Sequence, residues 1–350
     1  MRRDREPEER YSWTRPGAFE VAKGVFRIPL PMPANGLRAV STYAIRSGED
    51  LLMIDSGWAV PEAMTGLQDA LELINAGPGD ISEFAITHAH GDHYTLAVEV
   101  RERYGTPIAI GAGEEANILA VMADWDSGYH VQQRHLIEAG ASDLAAEFDQ
   151  WRTGHSHTSR FAKERYELPD RWLHNGEVID VGHHEVRAMA TPGHTSGHVV
   201  YIDHAEGIIF SGDHILPHIT PSVGFEPVPP ALPLRDFLAS LESMLELPDL
   251  SVMPAHGPAG FSLHDRSLEL LRYHETRLSD MLTVVLAGGR HPLDVARGIG
   301  WTRRNTHFDA LDPFNRTLAL NETVAHLRLL EDRGDLAAGV EAGSPVYALP

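Results

Sequence analysis

No cysteine occurs among the 350 residues of this chain. That absence excludes disulfides, thiolate metal ligands and a cysteine nucleophile. Any bound metal must be held by His, Asp or Glu, together with water. Long apolar runs are missing too; nothing approaches the roughly eighteen uninterrupted apolar residues of a membrane helix. Internal repeats and low-complexity tracts are absent. Positive charge is scarce: 29 Lys and Arg stand against 50 Asp and Glu, a formal net charge of −21. Such a surface repels phosphate backbones and weighs against nucleic acid as the main substrate, although a local basic groove can exist on an acidic protein. The opening MRRDREPEER mixes both signs and lacks an apolar signal core, so the default expectation is a cytoplasmic location.

What is present suits a soluble α/β protein, long enough for one large core plus a smaller domain or cap. Residues 1–20 are polar and read as a loosely ordered arm. Short apolar or alternating segments follow at Gly24–Leu30, Thr42–Arg46, Leu51–Ile54 and Glu83–Thr87, separated by Gly, Pro, Ser and Asp, which is strand patterning. Between them, Pro61 fits the first turn of a helix whose apolar face carries Ala63, Leu67, Leu71 and Ile74. Residues 113–174 read as a mostly helical insert or cap, holding Trp125, Trp151 and Trp172. Strands return at Glu177–Val181, Glu185–Ala190, Val199–Asp203, Gly207–Phe210 and Ser251–Met253, with a helix at Phe237–Leu247. The strand-rich unit thus spans 21–260. Residues 261–350 offer helices at Leu263–Leu286, His291–Gly298 and Leu318–Arg333 and a terminal hairpin at Leu336–Leu349, a winged-helix-like pattern.

The chemistry concentrates in Thr87-His88-Ala89-His90-Gly91-Asp92-His93, just after a strand. A strand end is rigid, and the loop beyond it can fold side chains around an ion. His88 and His90 alternate and can approach one metal; Asp92 and His93 can turn toward a second. Imidazole and carboxylate suit zinc, and also iron or manganese. Three more segments each follow a strand: Thr191-Pro192-Gly193-His194, Ser211-Gly212-Asp213 and Pro254-Ala255-His256-Gly257. Their glycines let the backbone turn sharply beside a ligand. Of the other histidines, His183, His184, His204 and His218 read as solvated, His198 and His214 as neighbours of ligands or as packing, and His155 and His157 as insert residues without a pocket role.

Together HxHxDH, TPGH, SGD and AHG resemble the metallo-β-lactamase superfamily, over most of residues 20–260. The resemblance implies a four-layered αββα sandwich binding two divalent metal ions, foremost Zn. It implies His88, His90 and His194 on one metal, Asp92, His93 and His256 on the other, and Asp213 bridging both. Asp55, ending the segment Leu51–Asp55, matches a family aspartate and would orient a ligand imidazole through a hydrogen bond.

A pair of ions about 3.5–4 Å apart can share a water and bring its pKa toward neutrality, giving a bridging hydroxide as nucleophile. Asp92 is then the catalytic carboxylate, orienting that nucleophile or passing a proton to the leaving group. The expected substrate is a small ester-like molecule, a thioester or lactone. Asp213 disfavours a native β-lactamase, and Asp213–Pro217 lacks the tyrosine usual in quorum-quenching lactonases. The long insert departs from the short glyoxalase II pattern. The C-terminal segment resembles a branch that includes a single-strand endoribonuclease; that alternative needs arginines such as Arg303 and Arg304 to converge on the metals. An iron-dependent sulfur-oxidising enzyme is a further alternative on the same fold. The expected partners are a small-molecule substrate and no membrane, with a homodimer open.

Overall fold

The strand-patterned segments assemble into two sheets. The computed structural model describes residues 11–32, 37–124, 126–159, 166–302, 304–341 and 343–350, with the side chains of 155–159 left aside. The first sheet holds seven strands lying side by side in chain order: β1 (Phe19–Ala22), β2 (Val25–Pro31), β3 (Ala39–Ser47), β4 (Asp50–Ile54), β5 (Glu83–Ile86), β6 (Ile108–Gly111) and β7 (Arg171–Leu173). The strands β1 to β4 form an antiparallel meander, and β4 to β7 run parallel. Parallel neighbours need crossovers. α1 (Pro61–Glu72) joins β4 to β5, and α2 (Gly91–Tyr104) joins β5 to β6. Pro61 opens α1, and Ala63, Leu67 and Leu71 are buried beneath it as their spacing requires.

Between β6 and β7 the chain forms α3 (Glu115–Ala123), α4 (Ser127–Glu138) and α5 (Ser142–Ser159). The second sheet has the order β13-β12-β11-β10-β9-β8, built from β8 (Val178–Val181), β9 (His184–Ala190), β10 (Val199–Asp203), β11 (Ile208–Gly212), β12 (Ser251–Pro254) and β13 (Phe261–Ser262). Its one parallel pair, β11 and β12, is bridged by α6 (Pro233–Met244). Beyond it lie α7 (Leu263–Leu286), α8 (Pro292–Gly298), the short ribbon β14 (Gly300–Trp301) and β15 (Thr306–His307), α9 (Pro313–Asp332) and the hairpin β16 (Ala337–Glu341) and β17 (Ser344–Ala348).

Alternation along the strands makes the layers. Val199 and Tyr201 of β10 face the other sheet and share a cluster with Tyr43, Ile54 and Ala85, whereas Val200 and Ile202 face the helices. Residues of the opposite face of the first sheet, Val40, Met53, Phe84 and Ile108, pack under α1 and α2. The result is the expected αββα sandwich. Among the described residues no helix is long and apolar enough to cross a membrane.

Several expectations need amendment. The stretch 113–174 is helical only in part, since Arg171–Leu173 forms the last strand of the first sheet and places Trp172 there. Ser12–Thr14 is a 3-10 turn with Trp13 buried, and Phe19–Glu20 pair with β2, so residues 12–20 are not a loose arm. The C-terminal helices do not enclose a core of their own: Leu278, Leu320 and Leu327 belong to the cluster that also contains Leu136 and Phe148 of the insert and Phe237 of α6. His184 is not solvated. It is buried, with Nδ1 2.6 Å from Asp203 Oδ2, at the end of the sandwich away from the loops that follow β5 and β9. Trp125 lies outside the described residues.

Candidate metal centre

The loops after β4, β5, β9, β11 and β12 meet at one edge of the sandwich, and their side chains form two triads. In one, donor atoms of His88, His90 and His194 lie within 4.8 Å of one another; in the other, those of Asp92, His93 and His256 do. His88 Nε2 stands 2.9 Å from His90 Nδ1, and His194 Nε2 stands 3.1 Å from the same atom. In the second triad His256 Nε2 is 3.3 Å and His93 Nε2 3.6 Å from Asp92 Oδ2.

Asp213 divides its oxygens between them. Oδ2 is 3.6 Å from His194 Nε2, while Oδ1 is 3.4 Å from His256 Nε2 and 3.7 Å from His93 Nε2. Gly212 makes this placement possible: its φ is +49°, and a Cβ there would lie 2.6 Å from Thr87 Oγ1 and 2.9 Å from His198 Nε2. All seven sequence-selected residues come together here.

Each imidazole is turned by a bond on its outer nitrogen. His93 Nδ1 meets Asp55 Oδ2 at 2.8 Å, His256 Nδ1 donates to Ala39 O at 2.8 Å and His194 Nδ1 to Ser222 O at 2.7 Å. His90 Nε2 faces Phe225 O at 3.3 Å, and His88 Nδ1 faces Thr87 Oγ1 at 3.0 Å. The inner nitrogens are thereby aimed at one another. His93 Nε2, His256 Nε2 and Asp213 Oδ1 are buried and have no hydrogen-bond partner. Buried polar atoms are rarely left so. A cation between them would satisfy all three, and the donor set, imidazole plus carboxylate with no sulfur, fits a divalent metal.

The electrostatics agree with that fit. Burial, then the crowding of neighbouring imidazoles, drives His88 far below the usual imidazole range and His90 to about 4, so the first triad presents neutral lone pairs. Burial opposes protonation of His93 as well, yet Asp55 and Asp92 overcome it and lift the group to about 10. Burial works against the Asp92 carboxylate, but His93 and His256 hold it well below the ordinary carboxylate value. Positive charge is favoured where the carboxylates converge. Asp92 and Asp213 keep a little exposure, 8% each, and His90 is more exposed than either, so the site meets solvent at His90 as well as at the carboxylates.

Residues outside the motifs complete the surroundings. Asp55 adopts φ +59°, and its Oδ1 accepts the Thr87 N–H at 2.8 Å. His198, left open by sequence, uses Nε2 to accept the Asp213 N–H at 3.3 Å and Nδ1 to meet Thr191 Oγ1 at 2.9 Å. His214 is buried against Phe237. Tyr166 donates to Ala89 O at 2.8 Å, between the first two histidines. The carbonyls of Ala39, Ser222 and Phe225 have no signature in a sequence, because any residue carries one. Trp151 of the insert stacks on Phe314 of α9 at 4.9 Å, and Phe314 stands edge-on to Phe225. The row reaches the site through Phe225, whose carbonyl faces His90. The side chains of His155 and His157, and all of Arg303, lie outside the described residues. Arg304 is exposed in the turn between β14 and β15.

Comparison with known proteins agrees with the geometry. The lactamase-like protein nscB of Aspergillus fumigatus is 25% identical over 254 residues, covering 71% of this chain and 57% of that protein, so the chain spans little more than half the length of this relative. The atrochrysone carboxyl ACP thioesterase dmxR1 of a Cryptosporiopsis species is 25% identical over 321 residues, covering 88% of this chain and 79% of that one. A metallo-beta-lactamase family protein from Thermus thermophilus, known from its crystal structure, superimposes with a TM-score of 0.76 at 23% identity, covering 95% of this chain and all of that one, which speaks to the fold. The family model described as the metallo-beta-lactamase superfamily matches residues 35–256, the span that carries every loop of the two triads. The chain belongs to the metallo-beta-lactamase superfamily.

Proposed function

We propose that this enzyme is a binuclear hydrolase of a small ester-like substrate, a thioester before a lactone, with zinc as the metal. The observation that carries the binuclear reading is the division of Asp213, one oxygen toward His194 and the other toward His93 and His256. His88, His90 and His194 would hold one ion, Asp92, His93 and His256 the other. When bound, the ions would acidify a water and polarise the scissile carbonyl.

The chain's own residues do the rest. Asp55, Thr87 and the three backbone carbonyls keep each imidazole in one tautomer and orientation. Asp92, partly open to solvent beside His256, is the carboxylate placed to take a proton from the attacking water and return it to the leaving group. The row Trp151, Phe314 and Phe225, joined to the site through the Phe225 carbonyl on His90, would suit an apolar acyl part. The thioester preference is supported by the relative named as a carboxyl ACP thioesterase, which this chain matches over most of both lengths. A chain of net charge −21 disfavours a polyanionic substrate.

The test is a hydrolysis panel of acyl thioesters, lactones, phosphodiesters and β-lactams on metal-analysed protein, with Asp92→Ala as control. Thioesters should turn over fastest. Full turnover by Asp92→Ala on the best substrate would overturn the assignment of Asp92, and fastest cleavage of a phosphodiester would overturn the substrate class.

A further inference from the structure

Two of the three imidazoles in the His88–His90–His194 triad take their orientation from one short segment. Ser222 O receives His194 Nδ1 and Phe225 O faces His90 Nε2. This segment lies in the long connection between β11 and α6, with no strand or helix of its own between His214 and Leu232. Something else must hold it, because a free loop would let both carbonyls wander.

Glu226, the next residue, is 2% exposed and is tied on one oxygen to three donors. Oε2 accepts the Ser196 N–H at 3.0 Å, the Ser196 hydroxyl at 2.9 Å and the Asn117 amide. Asn117 is the hub of the arrangement. Its Nδ2 also reaches Glu114 Oε2 at 3.1 Å and Ser196 Oγ at 3.2 Å, and its Oδ1 accepts the Val228 N–H at 3.0 Å. Thr195, beside His194, donates to Glu114 Oε1. Three chain segments therefore close on one buried knot: the start of the insert, the turn carrying His194, and the 222–228 segment. The backbones of the first two touch there; a Cβ on Gly113 would lie 2.7 Å from Gly197 Cα, and one on Gly197 would lie 2.1 Å from Glu114 N. The outer nitrogens of the Asp92–His93–His256 triad take their bonds elsewhere, from Asp55 and Ala39 O.

We propose that Glu226 is a positioning residue for the His88–His90–His194 triad, fixing through its buried carboxylate the backbone carbonyls that orient His90 and His194. It touches no substrate, and it acts on one of the two metal positions and not on the other. The inference rests on the reading that both triads take metal ions.

The experiment is titration of the metal-free full-length protein with Zn(II) against a competing chelator, and with Co(II) followed by its visible absorption, in wild type, Glu226→Ala and Glu226→Gln. In Glu226→Ala one of two equivalents should loosen about 10–100-fold, the range for losing a group that orients a ligand. The other equivalent and its cobalt spectrum should stay as in wild type. Glu226→Gln keeps an acceptor oxygen and should restore both. Ser196→Ala, which removes one donor and leaves the carboxylate in place, should loosen the same equivalent by a smaller factor, and it carries the test if Glu226→Ala does not fold. Two equivalents bound by Glu226→Ala or Ser196→Ala as tightly as by wild type, or both loosened equally, would overturn the inference. Fewer than two tight equivalents in wild type would instead sink the binuclear reading, and this inference with it.

Discussion

Asp55 Oδ2 lies 2.8 Å from His93 Nδ1, and both side chains are sealed from solvent. The same carboxylate takes the Thr87 N–H and hydroxyl, so one group ties the end of β4 to the loop that begins the histidine motif. Asp55→Asn has nearly the same shape and tolerates the left-handed backbone found here, but it offers His93 one acceptor oxygen already wanted by Thr87. Metal affinity at the Asp92–His93–His256 triad should fall about 10–100-fold. Chelator competition would show this as one loosened equivalent, the opposite one from that loosened by Glu226→Ala.

Asp213→Ala removes an oxygen from both triads at once. The protein should retain at most one tightly held metal equivalent, and turnover on its best substrate should drop by about 100-fold or more, beyond the loss of a merely supporting residue. Elemental analysis after dialysis, read beside kcat, checks both halves. A variant that keeps two equivalents and full kcat would show that Asp213 bridges nothing.

Glu114 is buried beside Glu226, and burial first, then its neighbour's charge, raises its carboxyl from 4.5 to about 7 despite the Thr195 and Asn117 hydrogen bonds. Between those two values the folded protein holds a proton that the unfolded chain has released. Stability therefore falls as pH rises from about 4.5 through about 7, and the loss is complete above that. Glu114→Gln has no such group, so its stability relative to wild type should climb with pH across this window, by something on the order of 3 kcal/mol. Urea unfolding of the metal-free proteins at pH 5 and pH 8 measures it; a difference independent of pH would remove Glu114 as the source.

The His184–Asp203 pair lies at the far end of the sandwich from the triads, and Asp203 Oδ1 also accepts the Ala205 and Glu206 N–H groups. Asp203→Ala leaves His184 buried without its partner and opens the turn after β10. It should cost about 3–5 kcal/mol of stability, as for one member of a buried pair, while metal content stays at the wild-type value. Denaturant midpoints and elemental analysis on the same preparation separate the two.

Much of this centre is readable in one dimension. His88, His90, Asp92 and His93 sit within six residues, and His194, Asp213 and His256 each follow a strand whose alternation is plain. A strand end has its position set by the sheet, so residues just after it are placed wherever the sheet places that end. The helices α1, α6 and α7 were legible for a similar reason, since each repeats its apolar face over three or more turns. Residues 171–173 were not, because three residues are too few to show a period and the helical texture before them dominates. His184 reads as solvated in the sequence because its neighbours Gly182 and His183 signal a turn, while its partner Asp203 is 19 positions away.

By itself the sequence determined the donor types and the four loops that carry them, because these are properties of single side chains and of their local strand context. Only the tertiary structure decided which nitrogen of each imidazole points inward, that the two oxygens of Asp213 face different triads, and that Glu226 steadies the Ser222 and Phe225 carbonyls. Those outcomes depend on backbone groups identical in every residue and on partners as much as 217 positions apart, as for His256 and Ala39. Distances of that kind acquire meaning only when packing of the two sheets brings their ends together.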